Sequence, residues 1–199
     1  MGGLGKTTLA KAVFNELASK FEYTCFVPDA KLSGGSEKAL KEEVWNCMYY
    51  NGEKVGGDSD WSRLCGKQLL LVLDDVEQRE IKVLLEIASG PSAESRFIAT
   101  SRMQRLLPNT YPVPLLDEEY SYQLFISRAF PNQATPPANL ASLTVEIVKK
   151  CEKLPLTLEV VGQWLKNTQT EEDWKQALSA LVDAEAFTDF NEVVEKVET

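Results

Sequence analysis

The first eight residues combine glycines, a lysine and a hydroxyl group in an order suited to phosphate binding. Gly2, Gly3 and Gly5 allow backbone N–H groups to turn inward and contact phosphate oxygens. Lys6 can reach the β- and γ-phosphates, and Thr7 supplies a hydroxyl ligand for Mg²⁺. Apolar residues then recur at helical spacing, so the loop leads into a helix N-terminus, which favours an anion. The alternative is a glycine-rich segment that simply precedes a helix.

A second candidate feature is an apolar run that ends abruptly in two carboxylates. Leu69–Leu73 has the composition of a strand buried on both faces of a parallel sheet, and Asp74 and Asp75 follow it directly. We assign Asp74 to Mg²⁺, and Asp75 is the candidate for orienting or deprotonating an attacking water. The alternative is that Asp74 only caps the next helix. The glycine loop upstream favours the metal assignment, because an acidic strand end places a carboxylate beside such a loop.

The third candidate is Arg102, which follows a predicted strand at 96–100. At the same sheet edge its guanidinium could bond a γ-phosphate bidentately and sense its loss. The alternative is an ordinary surface arginine. No guanine-reading Asn-Lys-x-Asp sequence occurs, which favours adenine nucleotides. Residues 32–36 resemble the signature of transporter ATPases but lie too early in the chain, so we interpret them as a turn.

Composition excludes several other classes of protein. The chain has 199 residues, a formal net charge of −9 and no histidine, which rules out His-based acid–base chemistry and His-containing zinc sites. The negative charge argues against nucleic acid or an anionic membrane as partner. No apolar run reaches the roughly 18 residues of a membrane span. Four widely spaced cysteines are interpreted as reduced thiols of a cytoplasmic protein, namely Cys25, Cys47, Cys65 and Cys151.

Hydrophobic periodicity predicts strands alternating with helices, followed by helices alone. Strands are predicted at 23–27, 69–73 and 96–100, with an edge strand at 111–115 despite two prolines. Helices are predicted from an N-cap at Ser36 to about Tyr50, and over 81–88, 117–130, 140–151, 155–165 and 170–181. Residues 51–60 are predicted to form a surface loop, and the last segment to position 199 a weakly held helix.

This order of elements predicts an α/β domain with a small helical domain attached. The proline-rich segment 131–137 is the predicted linker. It separates a P-loop nucleotide-binding domain at 1–130 from a helical domain at 138–199. Nine acidic and two basic residues in 171–199 give that last segment a net charge of −7, which we interpret as a solvated helical face; the alternative is a partner-binding surface.

The same segments, in the same order, resemble the NB-ARC domain of plant disease-resistance proteins. The resemblance rests on four segments. They are the phosphate loop at 1–10, the acidic strand with Val76 at 69–76, the strand leading to Arg102 at 95–102, and a Leu-Pro-Leu segment at 151–158. It implies an α/β P-loop NTPase sheet followed by a small all-helical ARC1-type domain. Glu77, rather than tryptophan, resembles the TIR-associated branch of the family.

The resemblance also implies function and site residues. It implies a switch in immune signalling that is off with ADP and active with ATP. Leu4 and Thr8 then belong to the phosphate loop, adenine packs near Pro155, and Arg102 senses the γ-phosphate. Lys153 stands where the family has a glycine.

The departures from the family pattern concern both ends. The full pattern G-x-x-x-x-G-K-[ST] would begin one residue before Met1, and the strand that leads into the loop is missing from the sequence. We expect that strand to be a central neighbour of Leu69–Leu73. The winged-helix part that would follow is also missing, so we expect a chain truncated at both ends.

The leading hypothesis is therefore an ADP- and ATP-binding switch module with Mg²⁺ and slow or no ATP hydrolysis. Its expected partners are adenine nucleotide and other domains of an immune receptor. The rival hypothesis is a degenerate remnant that binds no nucleotide and acts as an interaction surface or decoy. A metabolic ATPase or kinase ranks third, because no substrate-binding residues are apparent.

Overall fold

The computed structural model describes residues 2–32, 36–103, 106–166, 168 and 170–185. Two compact units account for the chain, Met1–Pro112 and Val113–Thr199. The predicted turn at 32–36 and the predicted last helix lie largely outside the described residues. None of the described helices is long and apolar enough to cross a bilayer.

The first unit is built on a five-stranded sheet with the strand order β3-β2-β1-β4-β5. Its strands are β1 Tyr23–Val27, β2 Met48–Tyr50, β3 Glu53–Lys54, β4 Leu69–Leu73 and β5 Arg96–Ala99. The strands β1, β4 and β5 run parallel, whereas β2 and β3 add an antiparallel hairpin to the outer side of β1. The carboxyl ends of the three parallel strands therefore meet at one edge of the sheet.

Three helices belong to this unit, α1 Lys6–Leu17, α2 Glu37–Asn46 and α3 Gln78–Ala88. The predicted N-cap of α2 is confirmed, since the Ser36 hydroxyl accepts a hydrogen bond from the Ala39 N–H at 3.1 Å. The α3 helix begins with a capping box between Glu77 and Glu80.

Strand β4 is the centre of the hydrophobic core. All five of its residues are completely buried, as the continuous apolar run predicts. The expectation that a missing strand pairs with β4 is wrong, because β1 and β5 pair with it on its two sides in parallel register. A parallel strand that has both neighbours has no edge left for a third.

The predicted helix from Ser36 to Tyr50 ends early, at Asn46. The chain instead turns back through β2 and β3, and Tyr50 lies opposite Tyr23 of β1 with the two rings 4.8 Å apart. Asn51 and Gly52 connect the strands with φ angles of 47° and 84°. An Asn-Gly pair with both φ angles positive favours a tight hairpin, so part of the predicted loop is strand.

The second unit consists of α4 Glu118–Ala129, α5 Ala141–Lys150, α6 Pro155–Leu165 and α7 Glu171–Glu185. Its core centres on Trp174, whose ring stacks on Phe130 at 5.4 Å and meets the edge of Phe125 at 6.0 Å. The prediction of a strand at 111–115 is wrong, because these described residues form no strand. Pro112 and Pro114 lack the N–H groups that strand pairing needs.

The division between the units falls at Pro112, earlier than the predicted linker at 131–137. The reason is that α4 packs against α6 and so belongs with the helices that follow it. The assignment of 1–130 and 138–199 to separate functional domains stays a prediction.

Lys153 occupies a backbone conformation that favours glycine. Its φ is 62°, and Glu152 before it has φ 50°. The left-handed conformation costs a residue other than glycine about 1–2 kcal/mol of folding stability, and glycine would remove this cost. Glycine also makes the unfolded chain more flexible, which offsets part of the stabilisation. We expect Lys153→Gly to raise Tm by about 2–4 °C, measured by circular dichroism.

The matched control for that substitution is Lys153→Ala. It removes the surface ion pair from Lys153 Nζ to Glu118 Oε1, 3.4 Å long, but leaves a β-carbon in the same backbone. An equal Tm for the alanine and glycine variants would contradict the backbone explanation.

Candidate functional site

The phosphate loop predicted from the sequence leads directly into α1. Gly3 and Gly5 have φ angles of 72° and 83°, in the left-handed region that glycine tolerates best. Gly5 is also the N-cap of α1, and its carbonyl accepts a hydrogen bond from Leu9 N at 2.9 Å. The loop therefore delivers Lys6 and Thr7 to the first turn, where backbone N–H groups and the helix dipole favour an anion.

Thr7 joins this helix to the end of β4. Its hydroxyl lies 2.9 Å from both carboxylate oxygens of Asp74 and donates to them. Asp74 is almost fully buried, with 3% of its surface exposed. A buried carboxylate requires partners, so its position is determined by the donors around it.

Thr100, directly after β5, is the second donor. Its hydroxyl donates to Asp74 Oδ1 at 2.5 Å and accepts from the Asp75 N–H at 2.9 Å. The Thr100 backbone N–H donates to the Leu73 carbonyl at 3.0 Å, which continues the parallel register past the ends of the two strands. Thr100 therefore orients both aspartates from the neighbouring strand.

Thr7 and Asp74 fit the requirements of a magnesium ion. Two adjacent ligands of an octahedral Mg²⁺, each at 2.0–2.1 Å, lie about 2.9 Å apart, and the oxygens of these two residues have that separation. No cluster of three or more His, Cys, Asp or Glu side chains suited to a metal occurs within the described ranges. Mg²⁺ commonly takes one or two carboxylates and completes its shell with phosphates and water.

Asp75 has a different environment from Asp74. Its backbone φ is 50°, and its carboxylate forms an ion pair with Lys31 and lies 3.4 Å from Arg102 Nε. The Lys31 hydrogen bond is the main reason that the pKa of Asp75 lies below its ordinary value; burial opposes this effect, and the charges of Arg102 and Lys6 add to it. A carboxylate with a lowered pKa is a weak general base.

The structure thus brings most of the predicted site residues to the carboxyl edge of the sheet. The phosphate loop, Asp74, Asp75 and Arg102 lie around the ends of β4 and β5 and the start of α1. Pro155 belongs to the other compact unit, where it is the first residue of α6.

Sequence reasoning missed two residues of this site, Thr100 and Lys31. Thr100 could have been predicted, since a hydroxyl at the carboxyl end of a parallel strand lies at the same edge of the sheet as the acidic pair. Lys31 carried none, because its contact with Asp75 depends on β1 and β4 being neighbours.

The chain matches the NB-ARC domain over residues 1–135. That match covers more than half of the 199 residues. The protein therefore belongs to the NB-ARC domain family, as the resemblance predicts, and its α/β sheet followed by helices has the fold expected of it.

Its relatives include disease-resistance proteins of several plants. It is 33% identical over 196 residues to the TMV resistance protein N of Nicotiana glutinosa, a match that covers 89% of this chain and 17% of the relative. It is 30% identical to the disease resistance protein RPV1 of Vitis rotundifolia, covering 98% of this chain and 15% of the relative. With RRS1 of Arabidopsis thaliana the identity is 30%, covering 91% and 15%. The chain spans about a sixth of these relatives.

Proposed function

We propose that this chain is an adenine-nucleotide-binding switch module of a plant immune receptor, with slow or no ATP hydrolysis. The observation that carries the proposal is the contact of Thr7 with buried Asp74, directly after a loop held by positive-φ glycines. The NB-ARC match and the resistance-protein relatives support a role in defence signalling. We also propose that the module acts in the cytoplasm.

The phosphates are proposed to bind at the loop and the first turn of α1. Backbone N–H groups and the Lys6 ammonium supply the positive charge there. The residues assigned to this role are Gly2, Gly3, Leu4, Gly5, Lys6, Thr7 and Thr8. Arg102 is proposed to bond the γ-phosphate, and Pro155 to pack against adenine.

Thr7 and Asp74 are proposed to hold Mg²⁺, which when bound supplies positive charge that neutralises phosphate oxygens. Asp75 is proposed to orient the attacking water. Its ion pair with Lys31 and its lowered pKa keep it ionised and weakly basic. That state supports slow hydrolysis, as a switch that must persist in one nucleotide state requires.

The test of the proposal is titration calorimetry with ADP and ATP, each with and without Mg²⁺. We expect saturable binding of both nucleotides, and a dependence on Mg²⁺ that is stronger for ATP. Absence of binding to either nucleotide would instead identify the chain as a remnant that acts as an interaction surface.

The paired aspartates are expected to differ when each is changed to asparagine. Asp74→Asn should reduce the Mg²⁺ dependence of ATP binding, because it removes the charge beside the proposed metal. Asp75→Asn serves as the matched control, and it should leave ADP binding nearly intact and slow any hydrolysis. Equal effects of both changes on binding would contradict this division of roles.

Arg102→Ala is expected to weaken ATP binding more than ADP binding, because the guanidinium is proposed to contact only the γ-phosphate. Charge-assisted hydrogen bonds contribute about 1.5–3 kcal/mol. Arg102 gives up its contact with Asp75 to reach a phosphate, so the lower end of that range applies, and a loss of roughly tenfold for ATP is expected. The matched control is Arg96→Ala, since Arg96 lies on β5 and bonds the carbonyls of Glu94 and Ser95. An equal loss for both nucleotides would make Arg102 a surface arginine.

A further inference from the structure

The Asp75 carboxylate is shared between two cations that come from different parts of the sheet. Lys31 follows β1, and Arg102 follows β5. Lys31 forms an ion pair with Asp75 Oδ2, and Arg102 Nε lies 3.4 Å from Oδ1. One carboxylate thus serves two positive side chains, one of which is the proposed γ-phosphate contact.

The two cations differ in how firmly they are held. Lys31 lies in a short 3₁₀ turn in which the Ala30 N–H donates to the Asp74 carbonyl at 2.8 Å. The Lys31 carbonyl in turn accepts from Arg79 Nη2 at 3.3 Å. The Lys31 side chain is 32% exposed, whereas that of Arg102 is 64% exposed. Arg102 can therefore exchange partners at lower cost than Lys31.

The Asp75 backbone is also fixed, which prevents the carboxylate from following Arg102. Its N–H donates to Thr100 Oγ1 at 2.9 Å, and its φ of 50° is a conformation maintained by the surrounding contacts. If Arg102 turns towards a phosphate, Asp75 stays in place, and Lys31 remains paired with it.

We propose that Lys31 is a positioning residue that, by holding Asp75, leaves Arg102 available to a γ-phosphate and so increases the preference for ATP over ADP. The inference rests on the proposed function of the same site. Without Lys31, Asp75 keeps its ion pair with Arg102, and its less compensated charge repels the γ-phosphate. Both effects weaken the binding of ATP, because both act on the γ-phosphate, which ADP lacks.

The experiment compares the dissociation constants of MgATP and MgADP for the wild-type chain, Lys31→Met and Lys31→Arg. We expect Lys31→Met to weaken MgATP roughly two- to fivefold, the upper part of the range for exposed charge pairs, and to change MgADP less than twofold. Lys31→Arg should restore the wild-type ratio, because it restores the cation. Lys38→Met, which removes an exposed lysine of α2, is the matched control and should change neither constant.

A double variant tests whether Lys31 acts through Asp75. In an Asp75→Asn background, Lys31→Met should no longer change the ratio of the two constants. Persistence of its full effect there would mean direct contact with phosphate and would overturn the positioning role. Equal losses for MgATP and MgADP would reveal a merely structural role and overturn it as well.

The same titrations separate this inference from the proposed function. Normal MgADP binding with an unchanged ratio in Lys31→Met overturns the inference alone. Absence of MgADP binding to the wild-type chain overturns the proposed function, and the inference with it.

Discussion

Replacing Lys6 with alanine is expected to weaken the binding of both ADP and ATP by about 10- to 150-fold. Lys6 is the first residue of α1 and directly follows the positive-φ Gly5. The hydroxyl of the next residue, Thr7, contacts Asp74, so Lys6 lies at the same edge of the sheet as the acidic pair. Charge-assisted bonds to phosphate contribute about 1.5–3 kcal/mol, which gives this range of affinity.

The matched control for Lys6 is Lys11→Ala, on the same helix. Lys11 Nζ lies over the Phe26 ring, 6.0 Å from its centroid, and outside the phosphate loop. The measurement is isothermal titration calorimetry of both variants, which gives their dissociation constants for ADP and ATP. Equal dissociation constants for Lys6→Ala and the wild-type chain would refute the phosphate-loop assignment.

Gly162→Ala is expected to destabilise the helical unit, because overpacking usually costs about 1–3 kcal/mol. A β-carbon at this position of α6 would lie 2.8 Å from the Arg128 β-carbon and 3.2 Å from the Phe125 carbonyl oxygen of α4. Neither atom is the far end of a flexible side chain, so the helices must separate to admit it. Alanine favours a helix over glycine by about 1 kcal/mol. Because the 2.8 Å approach places the overpacking cost in the upper part of its range, the net loss is expected to be about 1–2 kcal/mol.

The measurement for Gly162→Ala is urea unfolding followed by circular dichroism. Gly56→Ala is the matched control, because a β-carbon there would meet nothing within 4 Å. A stability equal to or above that of the wild-type chain would show that α4 and α6 do not approach each other as closely as described.

The parts of the fold that were predicted correctly carry local signals. The buried run at Leu69–Leu73 and the Ser36 cap each identify an element from neighbouring residues alone. The hairpin at Asn51 was missed for a local reason too. Leu40, Val44 and Met48 keep helical spacing into β2, so the helical pattern masked the Asn-Gly signal of a turn.

The parts that were missed depend on which strands are neighbours. The sequence does not state that β4 lies between β1 and β5, and so the expectation that the missing strand adjoins β4 was wrong. The contact of Lys31 with Asp75 could not be predicted for the same reason, because it exists only since β1 adjoins β4. Residues that approach the site from another strand become visible only when the order of the sheet is known.

The two edge strands of the sheet, β3 and β5, differ in how readily a strand from another molecule could pair with them. The β3 edge is two residues long and consists of Glu53 and Lys54, both exposed. Short, charged edges resist the addition of a foreign strand. β5 has four residues and, within the part of the chain that the structure describes, pairs only with β4. Of the two edges in this part of the chain, the β5 edge is therefore the one more open to the addition of a strand from another molecule.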